Sequence, residues 1–239
     1  MKKHFRWLAV LLAIVLVAAA CGDDDDSSSE STDSSDSAST EEEAVEQTQG
    51  GDLTFHMITH SDDGPFWSVV KRGMEAACAD VGVNCVWMPG NNDPGQMVSD
   101  IETAIGEGSN GIAASLPSPD QLIGPLQDAV AAGVPVYTLN SGLNDYTTIG
   151  ATTHIGQSED VAGQGAGLRF NDLGATKVLC AQQEQSNVGL TERCAGLEET
   201  FNGDVITQFV GLDADQTEQI NGIKAVLEAG AKSLVLMSH

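Results

Sequence analysis

The sequence has few basic residues. Only 10 Lys and Arg stand against 35 Asp and Glu, so the formal net charge of the 239 residues is −25. No cluster of Lys and Arg occurs after Arg6. Proteins that bind nucleic acid place clustered cations against its phosphates, so this composition argues against nucleic acid as a partner.

A hydrophobic segment long enough to span a membrane is also lacking. The apolar run from Trp7 to Ala20 has 14 residues, whereas a helix needs about 20 to cross a bilayer. Three basic residues precede it, so residues 1–20 are interpreted as a signal peptide. The small residues before Cys21 resemble a bacterial lipobox, which predicts a lipid anchor on Cys21 and a place on the outer side of the cell membrane. The alternative is an ordinary secretory signal followed by an incidental cysteine.

Residues 21–51 lack the composition of a folded segment. From Gly22 to Gly51 there is no Lys or Arg, eleven side chains are acidic, and only Val45 is an aliphatic residue larger than alanine. Such a segment cannot form a core. It predicts a disordered tether that spans roughly 30 Å between the lipidated cysteine and a folded domain; a merely solubilising tail fits equally well.

Motifs of common enzyme classes are absent as well. There is no G-x-S-x-G, P-loop or H-E-x-x-H sequence.

The glycines of Gly163 to Gly167 have G-x-G-x-G spacing inside a predicted helix, so close helix packing explains them better than a dinucleotide site does. His56 lies on a predicted strand and His60 directly follows it, and in extended chain four residues span roughly 13 Å, too far for the two histidines to share a metal ion. We therefore expect no enzyme, no cofactor and no metal.

The five cysteines fit an extracytoplasmic protein. With Cys21 used for lipid, an even number remains, and these four cysteines predict two disulfides. Local pairing is the simplest connectivity: Cys78 with Cys85, and Cys180 with Cys194.

From Leu53 onward, apolar runs alternate with amphipathic segments at a period of roughly 28 residues. Gly64-Pro65, Asp93-Pro94 and Ser118-Pro119 are typical of helix starts, and glycines mark the helix ends. The predicted strands are Leu53–Thr59, Val83–Met88, Gly111–Leu116, Val134–Leu139, Thr147–Ala151, Thr176–Ala181, Val205–Val210 and Ser233–Met237.

Repeated strand–helix–strand units predict an α/β fold with doubly wound parallel sheets flanked by helices. The length beyond the tether favours two lobes, which we place at residues 52–155 and 156–239, with the crossing near residues 154–157. Ligands of such sheets bind at the carboxyl ends of the strands. The loop after the first strand contains Asp62, Asp63, Phe66 and Trp67, whose aromatic faces and carboxylates suit a sugar ring; helix packing would account for one of the two aromatic residues.

This loop resembles the type I periplasmic sugar-binding proteins of ABC transporters, as do residues 134–141 and 190–193. The resemblance covers residues 53–239 and implies a two-lobed type I fold. It places the aromatic pair that encloses the sugar on Phe66 and Trp67. It places the ligand-binding arginine of the second lobe on Arg193, for which a surface helix residue is the alternative.

The family resemblance implies further ligand-binding positions. After the fourth strand, ribose binders carry an Asp-Arg pair where this chain has Asn140 and Ser141, and the loss of these two charges argues against ribose itself as the ligand. By analogy, Asp215 and Ser238 occupy hydroxyl-binding positions. Glu184 could also face the cleft, although a solvated loop acid is the commoner explanation.

The resulting hypothesis is a lipid-anchored, monomeric receptor that captures a small sugar or polyol and delivers it to ABC permease subunits. Two alternatives stay open: a subunit that presents the ligand to a signalling receptor, and the effector domain of a regulator. The signal peptide and the lack of a DNA-binding head count against the regulator. Because the chain ends directly after an apolar strand, we also expect a fragment that lacks part of both lobes and binds ligand weakly or not at all.

Overall fold

The computed structural model describes residues 50–62, 64–211, 216–229 and 233–236. The predicted signal peptide, Cys21 and all but the last two residues of the tether therefore lie outside the described residues, as do Asp63, Asp215 and Ser238. Within the described part, no helix is both long and apolar enough to cross a membrane.

Strands and helices alternate from residue 54 onward. The first nine elements are β1 (Thr54–Thr59), α1 (Gly64–Val81), β2 (Asn84–Pro89), α2 (Pro94–Gly106), β3 (Gly111–Ser115), α3 (Pro119–Ala131), β4 (Val136–Leu139), α4 (Tyr146–Ile149) and β5 (Thr153–Ile155). They are followed by α5 (Glu159–Asp172), β6 (Lys177–Gln182), α6 (Val188–Thr200), β7 (Asp204–Phe209), α7 (Gln216–Glu228) and β8 (Ser233–Leu236).

The strands form two parallel sheets. The N-terminal sheet has five strands in the order β2-β1-β3-β4-β5, and the C-terminal sheet has three in the order β7-β6-β8. All pairings are parallel. The predicted α/β class with parallel sheets is confirmed. The chain leaves the first sheet after Ile155 and enters α5 at Glu159.

One predicted strand is wrong. Residues 147–151 do not pair with a strand; Tyr146 to Ile149 form the helical turn α4, and the strand follows at Thr153. Gly150 ends the turn with φ 81°, and the N–H of Ala151 donates to the carbonyl of Tyr146 at 3.0 Å. The β-branched Thr147, Thr148 and Ile149 suggested a strand, but the left-handed glycine closes a local turn instead.

The predicted helix starts are confirmed, although their caps differ. At α2 the Asp93 carboxylate accepts a hydrogen bond from the Gly95 N–H at 2.8 Å, as an N-cap residue does. At α3 the Ser118 hydroxyl makes no such bond and instead donates to the Ser186 carbonyl at 3.2 Å. Ser118 thus links the start of α3 to the loop that follows β6.

The core of the N-terminal part lies on one face of its sheet. Ile58 and Ile112 are fully buried there against α2 and α3, together with Met97, Leu122 and Leu126. Because side chains alternate along a strand, Met57 and Ala113 point to the other face, where they line a cavity with Met74 of α1. The sheet therefore has α2 and α3 on one face and α1 on the other.

The C-terminal part is organised around helix α6. Leu190, Cys194 and Leu197 on this helix pack with Val178 of β6, and Phe170 of α5 adds to the cluster. A disulfide joins Cys194 to Cys180 of β6, and a second joins Cys78 to Cys85. These are the two pairings that the sequence predicted.

Candidate functional site

The carboxyl ends of the two sheets meet at one place. In a sheet of order 2-1-3-4-5, the connections leaving β1 and β3 diverge, which opens a crevice between their carboxyl ends. His60 follows β1 there, and its N–H donates to the hydroxyl of Ser115 at the end of β3, at 2.9 Å. Its Nε2 lies 3.4 Å from a carboxylate oxygen of Glu184, in the loop after β6. The geometry therefore joins the loop after β1 to the loop after β6.

One cavity of this region, here called the hinge cavity, has a volume of about 420 Å³. Such a volume lies within the roughly 300–1,000 Å³ of ligand sites. Its polar end contains Asn140, Gln157, Glu159 and Arg193, and Phe66 at the start of α1 forms part of its apolar wall. Three predicted ligand-binding residues, Phe66, Asn140 and Arg193, thus line one cavity. Phe66 and Asn140 come from elements of the N-terminal part, and Arg193 comes from α6 in the C-terminal part.

Arg193 does not stand alone. Its Nε and an Nη atom both bond to a carboxylate oxygen of Glu159 at the start of α5. The Arg193 side chain is 11% exposed and that of Glu159 is 5% exposed. The ion pair is therefore buried, and the charge of the guanidinium is balanced on the wall of the cavity.

The aromatic pair after β1 is divided between cavity and core. Trp67 is 3% exposed and packs edge to face against Phe66 and against the ring of His60, with centroid distances of 4.9 Å. Phe66 is half-buried and lines the hinge cavity. Trp67 therefore holds Phe66 from the core side, which agrees with the expectation that helix packing takes one of the two rings.

Asn140 and Ser141 are held by the turn after β4. Asn140 adopts φ 62°, a left-handed conformation that asparagine tolerates better than most residues. Ser141 is 2% exposed, and its hydroxyl lies 3.0 Å from Oδ1 of Asn187 and 3.1 Å from Oδ1 of Asn140. Ser141 contacts the first turn of α6, whereas Asn140 faces the cavity. Asp62 lies exposed on the loop after β1.

Asn187 is a structural residue that the sequence analysis missed. Its Oδ1 accepts from the Gly189 N–H at 3.0 Å and so caps α6, while its Nδ2 donates to Glu184 at 2.6 Å. The side chain is 1% exposed. Its signal was readable, because asparagine directly before a helix is a common N-cap, but the contact with Ser141 depends on the tertiary fold.

Burial raises the pKa of Glu184, and the hydrogen bond from Asn187 offsets part of that effect. A carboxyl whose folded pKa is raised stabilises the fold below its ordinary pKa of 4.5, and this contribution is lost as the pH rises through the folded value. We therefore expect Glu184→Gln to lose less stability than the parent chain when the pH is raised from 4.5 to 7. Urea denaturation at several pH values measures the difference, and parallel curves would contradict it.

Comparison with known proteins identifies the family. Residues 55–237 match the model of the periplasmic binding protein domain, and the chain belongs to this family of binding proteins. The chain is 28% identical over 178 residues to the xylose/arabinose-binding protein XylF of Sulfolobus acidocaldarius; the match covers 70% of this chain and 44% of XylF. The chain thus spans less than half the length of that relative.

Solved structures share the fold. A carbohydrate transporter from Acidothermus cellulolyticus 11B, in complex with myo-inositol, is 34% identical with a TM-score of 0.74, and the match covers 79% of this chain and 66% of that one. A solute-binding protein from Burkholderia graminis C4D1M, in complex with D-arabinose, is 24% identical with a TM-score of 0.70, covering 78% and 66%. The expected resemblance to the type I periplasmic binding proteins of sugar ABC transporters is confirmed.

Proposed function

We propose that this protein is an extracytoplasmic solute-binding lipoprotein, which captures a small sugar or polyol between its two sheets and delivers it to an ABC permease. The observation that carries the proposal is the hinge cavity, where Phe66, Asn140 and Arg193 come together from α1, the β4 turn and α6. In this proposal residues 52–155 and 156–239 are the two lobes of a monomer, and closure of the lobes buries the ligand.

The chemistry of the hinge cavity suits a neutral, hydroxyl-bearing ligand. The ring of Phe66 can pack against the C–H face of a sugar, while the Asn140 amide and the Glu159 and Arg193 side chains offer acceptors and donors to its hydroxyls. Because Arg193 is already paired with a buried carboxylate, the cavity has no surplus positive charge to attract an anion. Asp63, Asp215 and Ser238 remain predicted contacts.

The cellular role in this proposal depends on the N-terminal residues. The signal peptide places the protein outside the cytoplasm, the acylated Cys21 holds it at the membrane, and the acidic tether lets the folded part reach a permease. The family match supports the extracytoplasmic location, since the matching domain is that of periplasmic binding proteins.

A thermal-shift screen with monosaccharides, polyols and nucleosides tests the binding function. A ligand that binds only the folded state at 100 times its Kd adds about 2.7 kcal/mol to the free energy of unfolding and raises Tm. The screen uses millimolar ligand. Phe66→Ala should remove most of the shift, because it removes the aromatic part of the cavity's apolar wall.

Val69→Ala is the matched control on the same helix. Val69 is 57% exposed and lies outside the lining of the hinge cavity, so its truncation should leave the shift intact. The proposal fails if no sugar or polyol shifts the parent chain, or if both variants lose the shift equally.

A further inference from the structure

Three asparagines of the chain are followed directly by glycine: Asn110, Asn202 and Asn221. Asparagine is a thermolabile residue, because the nitrogen of the next peptide group can attack its side-chain carbonyl carbon. A glycine in the next position favours this attack, since it has no Cβ to hinder the approach and its backbone is the most adaptable. The fold decides which of the three pairs can react.

The first pair is held in place at the start of β3. Oδ1 of Asn110 accepts a hydrogen bond from the N–H of Thr54 at 2.8 Å. Gly111 is buried, and its N–H donates to the hydroxyl of Ser109 at 3.3 Å. Both the side chain that would be attacked and the nitrogen that would attack are therefore engaged in other bonds.

The third pair lies inside a helix. Asn221 and Gly222 belong to α7. In an α-helix the N–H of each residue bonds to the carbonyl four residues earlier, and this bonding fixes the backbone on both sides. The nitrogen of Gly222 therefore cannot turn toward the Asn221 side chain unless the helix opens.

The second pair has neither restraint. Asn202 and Gly203 form the short connection between α6 and β7, and Asn202 is exposed. The backbone N–H of Asn202 donates to Oδ1 of Asn171 at 2.9 Å. Among the residues that the structure describes, neither the side-chain amide of Asn202 nor the N–H of Gly203 has a hydrogen-bond partner. The carbonyl carbon and the nitrogen that would react are thus both available.

The fold also requires glycine at the position that makes Asn202 reactive. A Cβ added to Gly203 would overlap the carbonyl oxygen of Thr176 and would lie 2.7 Å from Cε1 of Phe201. Residues with a side chain, which would slow the attack, are therefore excluded by packing.

We propose that Asn202 is a modification site, at which the folded chain deamidates without an enzyme. The nitrogen of Gly203 loses its proton to solvent base and attacks Cγ of Asn202. The new C–N bond closes a five-membered succinimide ring, and the side-chain nitrogen leaves as ammonia. Water then adds to one of the two ring carbonyls and breaks the C–N bond there, which gives aspartate or isoaspartate according to the carbonyl attacked.

The modification changes the connection between α6 and β7. Either product places a carboxylate just beyond the C-terminus of α6, where the helix dipole disfavours negative charge. Isoaspartate also lengthens the main chain by one methylene, two residues before Asp204 begins the pairing of β7 with β6. We therefore expect the modified chain to hold β7 less firmly.

Mass spectrometry of the whole chain tests the site. The folded protein is incubated at mildly alkaline pH in water enriched in ¹⁸O, and cleavage after glutamate then separates the three pairs into residues 108–159, 200–218 and 219–228. Residues 200–218 should exchange the side-chain nitrogen for one ¹⁸O at least tenfold faster than the other two peptides do at their Asn-Gly pairs. Fragmentation by electron transfer should find both isoaspartate and aspartate at position 202.

The chain unfolded in guanidinium chloride is the matched control. Without the fold, the three pairs should react within threefold of one another, because the sequence Asn-Gly is the same in each. Asn202→Gln in the folded chain should abolish the reaction at this position, since the larger ring that glutamine would form closes far more slowly.

Three results would overturn the proposal. The first is a folded chain in which Asn110 or Asn221 reacts as fast as Asn202. The second is a position 202 that stays intact in the folded chain while the unfolded chain reacts. The third is aspartate without isoaspartate, which would show direct hydrolysis of the amide in place of attack by Gly203.

Discussion

Replacing Gly163 with valine is expected to separate helices α5 and α6 and to destabilise the protein by at least about 3 kcal/mol. Gly163 is buried on α5, facing α6. A Cβ added there would overlap the carbonyl oxygen of Arg193 and lie 2.8 Å from the backbone nitrogen of Leu197. These neighbours are backbone atoms, so they cannot move aside by changing rotamer.

Gly165 provides the matched control, two residues further along the same helix. It is exposed, and no atom lies within 4 Å of an added Cβ. Gly165→Ala should therefore stabilise the helix by up to about 1 kcal/mol, because alanine has the higher helix propensity. Urea denaturation of both variants tests the pair: opposite signs are expected. A Gly163→Val chain that unfolds at the parent midpoint would show that the helices are not closely packed.

Arg193→Met is expected to reduce stability by about 3–5 kcal/mol, because it leaves the Glu159 carboxylate buried without its partner. Combining it with Glu159→Gln should restore most of the loss, since no buried charge then remains unpaired. Ligand binding in the hinge cavity should be lost in both variants. The free energy of unfolding and the thermal shift together distinguish the structural effect from the binding effect.

Lys177→Met is the control for this prediction. Lys177 lies 3.8 Å from Asp204, and the two side chains are 32% and 78% exposed. Exposed ion pairs of this kind contribute about 0–1 kcal/mol, so the variant should unfold close to the parent chain. If Arg193→Met were as mild as Lys177→Met, the pair with Glu159 would not be the buried interaction that the structure shows.

Much of the fold was predictable because local signals agreed with the global arrangement. Proline after a capping residue predicted the starts of α2 and α3, and the apolar runs predicted seven of the eight strands. The error at residues 147–151 arose because β-branched residues favour a strand, whereas Gly150 in a left-handed conformation ends a helical turn there.

The candidate site was only partly predictable. Phe66 and Arg193 could be proposed from the family pattern, and the structure places both at the hinge cavity. The pairing of Arg193 with Glu159 could not be predicted. Glu159 lies 34 residues earlier in the chain, and only the packing of α5 on α6 brings it close to Arg193. Tertiary contacts of this kind leave no local mark in the sequence.

Helix α6 is attached at three separate points. Asn187 caps its first turn, the Cys180–Cys194 disulfide ties its middle to β6, and its glycine-lined side lies directly on α5. Arg193 lies one residue before the crosslinked Cys194, so the disulfide holds its backbone close to β6. A ligand that contacted this guanidinium would therefore bind to a helix whose position is fixed by α5 and β6 together, so a movement of α6 would have to involve both of those elements.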